Sequence, residues 1–136
     1  MYSLIITTIP HYLSIFPILQ YYNNNLIWCY INIIFISTTF SILYHLTKES
    51  NYTIFYIDYT LAFIWSLFDI SIPIYFKDLY MFNKIISANI IIFFININIT
   101  RDKNYIIHHS IWHLISAYKC FYVSNTIKHI LSLHFK

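Results

Sequence analysis

Ser41, His45, Asp58, His109 and His113 each interrupt a stretch of sequence that is otherwise apolar. Ionisable side chains are costly in apolar surroundings, and those retained inside apolar segments mark function by default. Three imidazoles, a carboxylate and a hydroxyl make up the donor set of a zinc site. Neutral His nitrogens fill three tetrahedral positions and leave the fourth for water. Zinc lowers the pKa of such a water toward ~7, giving a nucleophile at neutral pH. On this chemistry His45, His109 and His113 are the candidate metal ligands. Asp58 is the candidate catalytic group that orients the water and returns its proton to a leaving group, and its charge offsets that of the cation. Ser41 is the hydroxyl that steadies the ligands or polarises a carbonyl.

Spacing supports the grouping. Residues four apart share a helix face, so Ser41 goes with His45 and His109 with His113. His108 is turned ~100° from His109 and falls outside the ligand set. Plainer readings exist for the same residues: separate polar contacts between helices for the histidines, and a dipole-stabilised position in the first helical turns for Asp58. His11, His129 and His134 read as interfacial residues. Asp69, on a face close to that of Asp58, is expected to pair with Lys119 or Lys84.

The elements that must carry these groups follow from composition. The chain is 59% hydrophobic and 10% charged, against roughly 25% charged in soluble domains. That excludes a water-soluble domain and points to an all-α, multi-pass integral membrane protein. Spanning takes about 20 apolar residues, and five stretches supply them: about 2–22, 26–47, 54–76, 84–100 and 104–125. They form one transmembrane domain over 1–136, without an internal repeat. A spanning β-barrel needs at least about eight strands of about ten residues, more than the chain can supply. Pro10, Pro17 and His11 interrupt the first span, and Asn89, Asn96 and Asn98 make the fourth polar. The start lacks a basic region and a small-residue cleavage site, so it reads as a span rather than a signal peptide. The tail with Lys128, His129 and His134 is expected along the interface.

Glycine is absent, which removes Gly-x3-Gly packing, with Ser37 and Ser41 the nearest substitute. The abundance of Asn and Ile reads as coding bias rather than function. Cys29 and Cys120 are too few for a disulfide framework and are read as buried reduced thiols, with a pairing between them as the alternative. The net charge of +3 is dispersed, so no nucleic-acid partner is expected.

With five spans, His45, Asp58 and the His109–His113 pair fall toward the same membrane face, together with Lys48, Arg101 and Lys103. Lys77, Lys84, Lys119, Lys128 and Lys136 fall on the opposite side, and this basic excess favours a cytoplasmic C-terminus. Two sequons, Asn51-Tyr52-Thr53 and Asn98-Ile99-Thr100, lie with the histidines. The compartment is left open, an endomembrane such as the ER or Golgi among the options. A mismatch in depth accompanies the grouping: His45 is ~4–5 Å along the axis from Lys48, whereas His113 is ~15 Å from Lys103. A shared metal requires the second helix to continue past Lys48, or the helices to tilt.

Ser41-Ile42-Leu43-Tyr44-His45, Tyr56-Ile57-Asp58-Tyr59 and His109-Ser110-Ile111-Trp112-His113, in that order, resemble the signature of the CREST superfamily of membrane hydrolases. That group includes alkaline ceramidases, GPI-remodelling lipid hydrolases, progestin and adipoQ receptors, and myomaker-like proteins. The resemblance covers about residues 35–120. It implies Zn²⁺ held by His45, His109 and His113, with Asp58 and Ser41 completing the site. It also implies hydrolysis of an amide or ester in a membrane lipid such as ceramide. The superfamily has seven helices, so the chain reads as a shortened member with about five, two being missing between the Asp helix and the last. The alternatives are a non-catalytic relative with a structural metal site, and a small membrane scaffold whose histidines are incidental.

Overall fold

The computed structural model describes residues 2–98 and 104–134, and the side chains of Asn98 and His134 lie outside that description. So do Ile99 and Thr100 of the second sequon, the expected break at Arg101-Asp102-Lys103, and Lys136. The described residues form helices α1 (Tyr2–Thr8), α2 (Pro10–Leu13), α3 (Asn25–Leu46), α4 (Tyr52–Phe76), α5 (Leu79–Asn98) and α6 (Tyr105–His134). A 3-10 turn at Leu19–Tyr21 precedes α3, and no strand occurs among the described residues.

Capping explains where the long helices begin. The Asn24 side chain accepts from the backbone N–H groups of Leu26 and Ile27, at 3.0 and 3.3 Å. Asn51 accepts from Ile54 at 3.1 Å, and Asp78 accepts from Met81 at 2.9 Å. Each answers N–H groups that the first helical turn leaves without a partner. Asparagines that composition alone discounts thus set two helix starts.

The segment 2–22 is not one helix. Proline supplies no N–H and crowds the carbonyl four residues earlier, so α1 stops before Pro10, which opens α2. From Leu13 to Ile18 the backbone runs in tight turns around Pro17, with three-residue bonds such as Ile15 N to Tyr12 O at 3.1 Å.

Among the described residues, three helices are long and apolar enough to cross a membrane: Asn25–Leu46, Tyr52–Phe76 and Leu79–Ile97. The 30-residue α6 is long enough but less apolar, carrying five of the chain's histidines along with Lys119 and Lys128. It continues unbroken through the tail expected to lie apart from it.

The helices close a ring. The α1–α2 segment packs on α3, α3 on α4, α4 on α5, α5 on α6, and α6 back on α1 and α2. A buried apolar core around Ile27, Ile34, Ile72 and Val123 is accompanied by an apolar exterior and by polar groups in the interior. Phe35, Phe63, Phe93 and Leu114 are exposed, while Ser37, Thr38, Ser41, His45, Asp69 and Lys119 are buried.

Those buried polar groups pair with one another. Lys119 forms an ion pair with Asp69 at 2.5 Å, so of the two expected partners the structure selects Lys119. The Tyr30 hydroxyl donates to the other Asp69 oxygen at 2.6 Å, and Lys119 also donates to Asn89 Oδ1 at 2.8 Å. Cys120 is buried beside Ser14 while Cys29 is exposed, and both thiols are free. Removing one partner of a buried pair strands the other, at about 3–5 kcal/mol. Asp69→Ala is expected to lose that much in denaturant unfolding in detergent. Asp69→Leu combined with Lys119→Met is expected to recover most of it, because neither charge then remains buried.

Candidate metal centre

The site is assembled from the ends of α3 and α6. His45 lies two residues from the end of α3 counting the C-cap, and His109 and His113 lie in the second and third turns of α6. All three are buried, and one ring nitrogen from each lies within 4.8 Å of the others. His45 Nε2 and His113 Nε2 are 2.9 Å apart. The His45 ring sits 5.1 Å, centroid to centroid, from both His109 and His113.

Hydrogen bonding places one proton on His45. Its Nδ1 is 3.1 Å from Glu49 Oε1, and a carboxylate only accepts, so Nδ1 carries the proton. In the neutral form of that ring, the form that binds a metal, Nε2 is a lone pair directed at His113. Two nitrogens 2.9 Å apart need a proton or a cation between them. Tetrahedral coordination with Zn–N bonds of ~2.0–2.1 Å separates ligand nitrogens by ~3.3 Å. The observed separations, from 2.9 Å up to 4.8 Å, bracket that value. Nitrogen donors, burial and a carboxylate behind one imidazole all suit zinc; the geometry by itself shows a group able to hold a metal ion.

Glu49 was missed by sequence reasoning, which placed it in a connecting loop. It lies one turn beyond His45, after α3 has ended. Lys48 and Glu49 take positive φ angles of 54° and 57°, and Glu49 N bonds back to Tyr44 O at 3.0 Å. The turn brings the carboxylate under His45, where it also accepts from the Tyr105 hydroxyl at 2.7 Å. Burial pushes its pKa up, but the hydrogen bonds from His45 and Tyr105 outweigh that and hold it below the usual value. The His45-x3-Glu49 spacing was the available signal.

The same contacts remove the depth mismatch. The α3 helix does not continue past Lys48. Instead α6 begins about a turn beyond the end of α3, so that Tyr105 is level with Glu49 and His45 sits between His109 and His113. His108 is exposed, as its angular offset implied.

A cavity of about 320 Å³ occupies the centre of the ring, at the small end of the ~300–1,000 Å³ range of ligand pockets. Ser41, Asp58, His109 and His113 line it, and Ser41 is Asp58's polar neighbour. Asp58 does not belong to the nitrogen cluster, and His45 lies behind the cavity wall against His109 and His113. The five sequence-selected residues are thus brought to one place.

His11 corrects the interfacial expectation. It is buried at 4% exposure, with its ring 5.4 Å from Trp65 and 6.1 Å from His113, and it lines the cavity. Its Nδ1 lies 2.8 Å from the Thr8 carbonyl and donates to it, leaving Nε2 as an acceptor. Thr8, His11 and Ser14, all buried, form a polar stripe at three-residue spacing that could have flagged it. His129, by contrast, is exposed.

Comparison with protein-family models, with curated proteins and with solved structures finds no match to this chain.

Metal analysis of detergent-purified protein is expected to find close to one zinc per chain, falling below about 0.2 in His109→Ala, because two imidazoles seldom retain zinc against competitors. Glu49→Ala is expected to weaken zinc about 10–100-fold in a chelator competition. Protons compete for the imidazoles, so acidification should release zinc.

Proposed function

We propose that this chain is a multi-pass integral membrane hydrolase, a shortened member of the CREST superfamily, cleaving an amide or ester bond in a ceramide-like lipid. The observation that carries the reading is the convergence of His45, His109 and His113 beside a cavity that Asp58 and Ser41 also line. In this reading the bundle has about five spans. The α6 helix crosses with its polar face turned into the ring, and the broken 2–22 segment fills the remaining place. The basic residues favour a cytoplasmic C-terminus.

His45, His109 and His113 would hold Zn²⁺, whose contribution is to lower the pKa of a water toward ~7. Asp58 accepts a proton from that water as it adds to the carbonyl, and delivers it to the departing amine or alkoxide. Ser41 keeps the Asp58 carboxylate turned toward the cavity. The apolar ring excludes bulk water, which strengthens each of these interactions.

A second reading, a metal clamp with no turnover, draws on the position of His45 behind the cavity wall and its brace from Glu49. The α3 and α6 helices meet there through side chains, and a cation would lock them. Asp58→Asn separates the two readings. For the hydrolase, zinc content is unchanged and turnover of a fluorescent ceramide falls at least about 100-fold. Zinc-loaded wild-type protein that turns over neither ceramide nor a lipid ester, yet loses thermal stability on chelation, would establish the clamp.

A further inference from the structure

Opposite the histidines, the cavity ends at Asn89 of α5 and Lys119 of α6, a polar patch that the hydrolytic reading does not use. Lys119 Nζ can only donate, so the Asn89 atom facing it at 2.8 Å is Oδ1. That settles the orientation of the amide and turns Nδ2, with its two N–H groups, away from Lys119. Asn89 Nδ2 is buried and meets no acceptor among the described residues. A buried donor left in that state costs about 1–3 kcal/mol. Trp112 Nε1, two turns earlier on α6 and also lining the cavity, is a second buried donor without an acceptor. Trp65 Nε1 and Thr38 Oγ1 on the wall also lack partners among the described residues, and the Trp112 and Lys119 levels of α6 are separated by about 10 Å of helical rise.

Charge decides which acceptor fits the Asn89 end. Asp69 lies against Lys119 and already neutralises it. An anion placed there would lose its hydration and face the Asp69 carboxylate, whereas a hydroxyl or carbonyl oxygen would satisfy the amide without that cost. We propose that Asn89, braced by Lys119, is a binding site for an uncharged oxygen, hydroxyl or carbonyl, carried on the chain of a lipid amide whose own carbonyl lies at the histidine end. This assignment rests on the proposed function for the direction in which the lipid lies. The lipid class it selects is an oxygenated acyl amide rather than a plain one. The axial rise from His113 to Lys119 places the second oxygen about 9 Å from the amide.

The test is a binding series on the full-length protein in detergent. The probes are dodecanamide, dodecanamides carrying a hydroxyl at successive chain carbons, and the corresponding carboxylates. Wild-type protein is expected to bind one mid-chain hydroxyl isomer about 10-fold more tightly than dodecanamide, equivalent to ~1.4 kcal/mol. The carboxylate at the same carbon should gain nothing. Asn89→Leu, and Asn89→Ala should the former misfold, are expected to bring the hydroxyl isomer level with dodecanamide while zinc content stays unchanged. Wild-type affinities within about twofold across all isomers would overturn the assignment, with water then satisfying the amide. So would a hydroxyl preference that survives in a folded Asn89 variant. Binding is read without turnover, so the two ideas fail separately. A hydroxyl preference in a protein that hydrolyses nothing leaves the Asn89 site standing and sinks the hydrolase, and turnover without the preference does the reverse.

Discussion

The structure turns on the junction between His45 and His113, where two Nε2 atoms approach to 2.9 Å with Glu49 fixing the proton of one ring. Such an approach is repulsive unless something positive lies between the lone pairs. The helices that carry these rings do not achieve it by close backbone packing. The ring of elements places α1 and α2 between α3 and α6 on one side and α4 and α5 between them on the other. The central cavity is what remains, and the imidazoles join the two helices at one end of it.

The charged groups kept in this apolar bundle are tolerable because they answer one another. Asp69 takes Tyr30 and Lys119, Lys119 also takes Asn89, and Glu49 takes His45 and Tyr105. Among the described buried groups without a partner, those of Asn89, Trp112, Trp65 and Thr38 line the cavity, whereas that of Ser124 does not. The polar content of the interior is therefore divided between structure and site. Pairs that close on themselves hold the ring together, and most groups left with spare capacity look inward to where a ligand would sit.

The lack of glycine has a structural consequence. Helices commonly end in a left-handed residue, usually glycine, because a Cβ is unfavourable there by roughly 1–2 kcal/mol. Here Lys48, Glu49 and Lys77 take those positions, with φ between 54° and 57°. At Glu49 the strain coincides with the carboxylate's placement under His45. A glycine at that point would have turned the chain equally well and supplied no side chain to orient the imidazole.

Much of the chemistry was legible in the residues themselves. Four-residue spacing put Ser41 with His45 and His109 with His113, and set His108 aside, because helical periodicity is a local property. Composition and span length gave all-helical structure and five expected spans, of which those at about 26–47, 54–76 and 84–100 correspond to the three described helices apolar enough to cross a membrane. Other features depended on contacts between distant parts of the chain. The relative heights of α3 and α6 were decided by packing, and they resolved a depth mismatch that axial counting alone left open. Glu49, four residues from His45 in sequence, reached the site through a left-handed turn beyond the helix end that helical periodicity does not produce. His11 was buried by the prolines that break the 2–22 segment and fold it against α6. Periodicity specifies which side chains share a face; only the packing of helices determines which faces meet.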